Sequence, residues 1–580
     1  MRTRLRLLAA LPLAFLWLVP APAQDPLPVQ DQAPSPPAPA RVLEGHFATG
    51  AVCALCHAAS ERATAMKDAQ GRSVAPYDLW RSTMMANSAR DPLWRAQVAA
   101  EVAALPGRKA EIEAECLTCH APMAHHQARL GGEPLPDTAL FADQGPRGAL
   151  GRDGVSCTVC HQIRPERLGE PETFGGQLRL DTERRIYGPH ADPVPGPMRM
   201  HTRYTPSLGP HLTRAALCGT CHTLFTDHHA ADGSASGARL PEQTPYLEWR
   251  NSIFNDELET PGPGARSCQG CHVPTTDLDG QELETRLAHN PGGRDFPFLQ
   301  PRRPVGRHVF VGGNVLVPAI LRDHAAELGV EAPPQAFDAT LAATRAQLER
   351  RTAQVRLRDV ARAEGRVRAR VTVTNLTGHK LPTGIPVRRL WLRARVRAAG
   401  GAVLVATGEH DAAGRIVGPD GAPLAGEAAG GPSYPHRAAV RAADEVQVWE
   451  AVLGDETGQP TYRLRRAARY LKDDRLLPRG WSAEHPDAVH TAPVGLDAPG
   501  SGADEDFTGG QDQVLLDLPL PAGTSGPLTL EVDVLYQPLS SRWAAELFTV
   551  DAPEVARFRG YWEQADRTPV SVASASAGLE

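Results

Sequence analysis

The chain has 580 residues, 42% of them hydrophobic and 22% charged, with 53 Gly, 53 Pro and only 10 Cys. At roughly 150 residues per domain the length allows three or four units, and the ordinary charge content excludes wholesale disorder. A net charge of -6 excludes a generally basic nucleic-acid binder, and ten cysteines are too sparse for a disulfide-dense scaffold.

In chain order, residues 1–23 read as a secretory signal peptide. Arg2, Arg4 and Arg6 form its charged start, an apolar run from Leu7 to Val19 is broken by Pro12, and Ala21-Pro22-Ala23 offers a cleavage site. A membrane anchor is the alternative, but the run is short and punctuated for a spanning helix. Residues 24–41 hold six prolines and read as an extended Pro-rich linker. No later window gives eighteen uninterrupted apolar residues, so no transmembrane segment is expected in the mature chain. Export to the periplasm is expected, with the outer cell surface or the extracellular space as alternatives. Removing residues 1–23, with three arginines and no acids, takes the charge from -6 to -9. That favours basic partner surfaces over nucleic acid.

Residues 42–330 hold every cysteine, each in a Cys-x-x-Cys-His motif. The motifs are Cys53/Cys56/His57, Cys116/Cys119/His120, Cys157/Cys160/His161, Cys218/Cys221/His222 and Cys268/Cys271/His272. This is the attachment pattern of c-type haem. Two thiols a helical turn apart can each form a thioether to one haem vinyl group, and the adjacent imidazole reaches the iron. Zinc ribbons space their pairs by about 15–20 residues. Here successive pairs start 63, 41, 61 and 50 residues apart, and zinc gives no reason for a His after each. A thioredoxin-like redox motif would occur once. The expectation is five covalent haem c groups, with short helices and irregular loops wrapped on haem faces.

Ten further histidines lie between His46 and His308. A second imidazole on an iron makes a six-coordinate, electron-transferring haem. The stretches Tyr77-Asp-Leu-Trp80-Arg81-Ser82-Thr83-Met84-Met85, Gly154-Val155-Ser-Cys157, Cys268-Gln-Gly-Cys271-His272-Val-Pro274 and His308-Val-Phe310-Val-Gly312-Gly313-Asn314 carry a family likeness. Through them the chain resembles the cytochrome c-552/c-554 and hydroxylamine oxidoreductase-like group of multihaem cytochromes, over about residues 45–320. In that group a Trp-x-x-Ser-x-His stretch supplies a distal His. Here Met85 stands in the His place, so the resemblance implies Met85 or Met84 as a ligand, an open site, or two core methionines. It also implies His201, His211 and His308 as distal candidates, followed by His125 or His126, with His46 weaker. An internal echo, Tyr246-Leu-Glu-Trp249-Arg250-Asn-Ser252-Ile-Phe254, puts Phe254 in the ligand place, where it is expected to pack against a porphyrin.

Residues 331–360 read as a connecting helix, from Phe337 to about Leu357. Residues 361–550 then alternate with a period of two: Val367, Ala369, Val371, Val373, and Leu390, Leu392, Ala394, Val396, with a Gly400-Gly401 hairpin into Val403 and Val405. An antiparallel, all-β sandwich-like domain is expected there, followed by a C-terminal helix and tail over 551–580. Asn375-Leu-Thr-Gly378-His379-Lys380-Leu-Pro382-Thr383-Gly384 is its most distinctive piece. Relatives with an appended β-domain carry a similar turn, which makes His379 either a distal ligand or a turn histidine. His485 and His490 are expected to be solvated.

The function expected first is a carrier relaying electrons between redox partner proteins. A multihaem oxidoreductase acting on a small nitrogen or sulfur compound at an open haem is the second reading. A haem-wire or self-assembly subunit is the third. No catalytic residue is assigned.

Overall fold

The computed structural model describes residues 40–498 and 502–580. The expected signal peptide over 1–23, and the linker over 24–41 apart from its last two residues, lie outside them. Among the described residues no helix is long and apolar enough to cross a membrane.

The first half is built of short helices. Many open on a proline, as in Pro76–Trp80, Pro92–Ala104, Pro122–Gly131, Pro146–Arg152 and Pro245–Arg250. Proline's fixed φ suits the first helical turn, where its missing N–H would have had no partner. Asp91 caps Pro92–Ala104 by accepting from the Leu93 and Trp94 amides. Apolar packing in this half is split into small clusters, such as Phe47, Leu117, Met123, Leu150 and Val159, and Ala216, Tyr246, Leu247 and Trp249. The expected short helices and irregular loops agree with that division.

The second half is a two-sheet sandwich. One sheet runs Pro460–Thr461, Val448–Gly454, Arg389–Ala398, Leu528–Gln537, Val570–Leu579, with Val403–Thr407 added on Arg389–Ala398 and Arg469–Asp473 on Val448–Gly454. The other runs Ala439–Val440, Gln511–Pro519, Arg366–Asn375, Ala353–Ala363. Val367, Ala369, Val371 and Val373 of one sheet and Leu390, Leu392, Ala394 and Val396 of the other share a single core, each 1% exposed or less. The period of two therefore sorts the faces as the pleat requires.

Four details depart from the sequence expectation. The connecting helix spans Pro334–Arg351 and stops there; from Ala353 the chain is already a strand, paired with Arg366–Asn375. The C-terminal tail is no tail, because Val570–Leu579 pairs with Leu528–Gln537 and completes a sheet. Its alternation of Val, Ser and Ala is too small and polar to read as a strand. Arg469–Asp473 lacks the strand pattern for another reason: its two apolar residues, Tyr470 and Leu471, are adjacent and do not alternate. Ala439–Val440 also runs parallel to its neighbour, so the sandwich is not wholly antiparallel.

The halves are packed on each other. Helix Pro553–Gln564 sets Val555, Phe558, Tyr561 and Trp562 into one cluster with Ala96 and Ala100 of Pro92–Ala104. Replacing Leu530, fully buried between the sheets, with Ala is expected to cost about 2–5 kcal/mol. A denaturant titration followed by far-ultraviolet circular dichroism measures it.

Candidate functional site

Each Cys-x-x-Cys-His motif occupies about one helical turn. The first ends Gly50–His57, the second ends Lys109–His120, the third is Cys157–Cys160 with His161 as its cap, the fourth runs out of Ala215–Gly219, and the fifth is Cys268–His272. Residues three apart share a helix face, so both thiols of a pair issue on one side. Among the described residues no cysteine is in a disulfide. Burial pushes the Cys116 and Cys160 thiols well up.

Thiols of different motifs meet. The Cys53 thiol neighbours that of Cys157, Cys119 that of Cys221, and Cys218 that of Cys268. Cys160 lies near Cys221 and Cys218. The first motif thus adjoins the third, the third adjoins the fourth, and the fourth touches the second and the fifth.

Four of the motif imidazoles are oriented by backbone carbonyls. The Nδ1 of His57 is 2.9 Å from the Leu287 carbonyl, that of His120 3.0 Å from Ser88, that of His161 2.6 Å from Tyr187 and that of His272 2.6 Å from Val311. A carbonyl accepts only, so Nδ1 carries the proton and Nε2 keeps its lone pair. Metal-bound imidazoles are usually tied in this way. Burial lowers His57, His161 and His272 and takes His120 and His222 to about 4, so all are neutral at pH 7.

Two further histidines complete matching pairs. The ring centres of His161 and His308 are 6.3 Å apart with planes 19° from parallel. Those of His272 and His379 are 6.5 Å apart at 16°. His308 turns Nδ1 to the Gly306 carbonyl at 3.1 Å, and His379 turns Nδ1 to the Lys380 carbonyl at 2.9 Å. Two imidazoles on opposite sides of one metal, each about 2 Å from it, place their ring centres roughly 6–6.5 Å apart. The donor set therefore fits one iron between each pair.

The Trp-containing stretches hold the chain just ahead of two motifs. The Trp80 indole donates to the Val155 carbonyl at 2.9 Å, and the Met85 carbonyl accepts from the Val155 amide at 2.9 Å. In the internal echo, Trp249 donates to the Arg266 carbonyl at 2.9 Å, and the Phe254 carbonyl accepts from the Arg266 amide at 2.7 Å. Val155 and Arg266 each stand two residues before the first cysteine of a motif. The two stretches are the same device used twice. Gly154 is required in the first, because at φ +63° a Cβ would come within 2.7 Å of the Met85 carbonyl. Phe254 lies against Gly378 of the distinctive turn.

The other expected ligands are scattered. Met84 packs against Val317, Leu321, Val330 and Phe337. Met85 is half-buried beside Val155. His126 is fully buried with neither nitrogen bonded among the described residues, and burial takes it to about 3. It lies by Gly176, whose own Cα faces Thr118 and Cys119 of the second motif and whose amide bonds Thr220 of the fourth. His125 has its Nε2 3.3 Å from the Thr118 hydroxyl. His211 spends Nε2 on the Ile163 carbonyl at 2.8 Å, and His201 is exposed on Pro195–Thr202. His46 is half-buried, with its carbonyl accepting from Tyr204 and Gln162. His490 is exposed with its ring edge-to-face on Phe225, while His485 is half-buried.

Sequence reading missed what positions His379. Glu248, fully buried on Pro245–Arg250, accepts from the Lys380 amide at 2.9 Å and the Thr383 hydroxyl at 2.5 Å. Lys380 in turn bonds Asp473 at 2.5 Å, which Arg475 grips with two nitrogens. A lone acid in a helix carries no signal for such a role. Trp94, stacked on His120 at 4.3 Å, was equally silent.

No protein-family model and no curated protein matches the chain. Among solved structures, that of a penta-heme cytochrome c552 from Thermochromatium tepidum is similar to it. The sequences are 17% identical, the TM-score is 0.48, and the likeness covers 92% of this chain and 99% of that one.

Burial alone would raise the Asp473 carboxyl, but Arg475 and Lys380 outweigh it and hold it down at about 2. Its contribution to stability is therefore present above its ordinary 3.8 and is lost as pH falls through about 2. Asp473→Asn leaves two buried cations unpaired and is expected to cost about 3–5 kcal/mol at pH 7. The difference from the parent chain should shrink in urea titrations taken towards pH 2.

Proposed function

We propose that the chain is an exported pentahaem c-type cytochrome that relays electrons between redox partner proteins. The observation that carries this reading is the pair of imidazole couples, His161 with His308 and His272 with His379, each joining a motif histidine to one from elsewhere. Nothing in side-chain packing alone calls for two neutral, carbonyl-anchored imidazoles at a metal-spanning distance. Haem, once attached, supplies a one-electron iron couple whose potential follows its axial ligands and burial.

The chain's own residues supply holding and order. The ten motif cysteines hold the macrocycles, and the five motif histidines take the proximal positions. His308 and His379 are the distal ligands of the third and fifth sites. His126, buried with both nitrogens unbonded, is the next imidazole fit to take an iron, at the second or fourth site. Met84, packed in an apolar cluster, has the role of a core side chain. The thiol neighbours give the relay its sequence, from the first motif through the third to the fourth, where the second and fifth also join. The charge of -9 after removal of residues 1–23 suits docking on basic partner surfaces in the periplasm.

Haem content, spin state and potential test this together. A count of five haems per chain, with no free thiol in the denatured protein, is expected. His308→Ala and His379→Ala are each expected to turn one haem from low-spin to high-spin in the electron paramagnetic resonance spectrum. Glu248→Ala, which frees the turn bearing His379, should do so partially at the same haem. Ten titratable thiols would end the haem reading; unchanged spin states in both histidine variants would end the ligand assignment.

A further inference from the structure

Far from the motifs in sequence, the sandwich half gathers a second set of ligating groups. His436, Asp504 and Asp512 each bring one ligand atom to a spot where all three atoms lie within 4.8 Å of one another. All three side chains are buried, with exposures of 0%, 3% and 0%. His436 Nε2 is 2.9 Å from an Asp504 oxygen. Asp512 uses Oδ2 to accept from the Trp449 indole at 2.6 Å, while its Oδ1 is buried with no partner among the described residues. A buried carboxylate oxygen without a partner is costly, and each such atom requires an explanation.

The surroundings are those of an oriented ligand. His436 Nδ1 is 3.0 Å from Asp474 Oδ2. Asp474 is itself fixed by Gln447 at 3.1 Å, Lys472 at 3.2 Å and the Glu450 amide at 2.8 Å. A carboxylate behind the imidazole sets its tautomer and leaves Nε2 for a metal. Lys472 reaches Asp474 but bonds neither Asp504 nor Asp512 among the described residues, so the two front carboxylates have no cationic side chain besides His436.

We propose that His436 Nε2, Asp504 and Asp512 Oδ1 bind one divalent transition-metal ion of the zinc class. An imidazole with two carboxylates suits zinc, whereas calcium and magnesium prefer all-oxygen sets. The ion would clamp the loop bearing Asp504 to strand Gln511–Pro519 and to the segment that carries His436. It satisfies the lone oxygen and leaves one position for water.

The test uses the full chain with its haems in place. Protein stripped with EDTA is dialysed against zinc chloride, passed through a desalting column, and analysed for zinc and iron by mass spectrometry. One zinc per chain is expected. Asp512→Asn and His436→Gln are expected to lower this at least tenfold, with haem content and visible spectrum unchanged. Should either variant fail to fold, Asp504→Asn on the loop gives the same comparison, and zinc should raise the thermal midpoint of the parent chain only. Equal zinc in parent and variants, or none retained by the parent, overturns the site. His436 would then be an imidazolium shared between Asp474 and Asp504.

Discussion

The bond from an imidazole Nδ1–H to a backbone carbonyl is the interaction on which the rest of the structure depends. It recurs at His57, His120, His161 and His272, and again at His308 and His379. Each bond fixes a tautomer, a ring plane and the direction of a lone pair at once. For the four motif histidines the carbonyls come from other segments, such as Leu287 for His57 and Val311 for His272, while His308 and His379 use carbonyls one or two residues away. The segments around Ser88, Tyr187, Leu287 and Val311 are each tied to a motif by one of these bonds. A fold assembled in this way can dispense with long helices, and its apolar clusters stay small.

A second constraint is the repeated tryptophan device. Trp80 with Met85, and Trp249 with Phe254, pin the residue two places before a motif by the same two hydrogen bonds. The side chain at the fifth position after the tryptophan then differs, Met in one and Phe in the other. The device works through the indole and the backbone, so that position is free to vary. The likeness of the two stretches concerns how a motif is presented, and it leaves the choice of ligand to other parts of the chain.

Much of this was legible in the residues. Ten cysteines in five identical settings announce their chemistry, and Val367–Val373 and Leu390–Val396 announce a sandwich by alternation. His308 and His379 were legible only through likeness to a family, because a single histidine in a loop has no periodicity. The carbonyl partners were not legible, since a backbone acceptor has no residue type. Glu248 and Trp94 act by where they are folded to. The same holds for His436, Asp504 and Asp512, which strand pairing and two long loops bring together from distant positions. The strand Val570–Leu579 was hidden by its small side chains.

The imidazole pair at the fifth motif takes one ring from each half: His272 from the helical half and His379 from the sandwich. On the proposed reading this makes folding and redox chemistry a single linked equilibrium. A group bound between two bodies stabilises their docking by as much as docking improves its binding. Iron oxidation states that prefer two imidazoles would then tighten the junction, and those that do not would loosen it. The buried Lys380–Asp473–Arg475 cluster and the Glu248 clamp sit on that junction. On that reading the potential of the last site would be a property of the whole molecule, reporting how firmly the sandwich is docked.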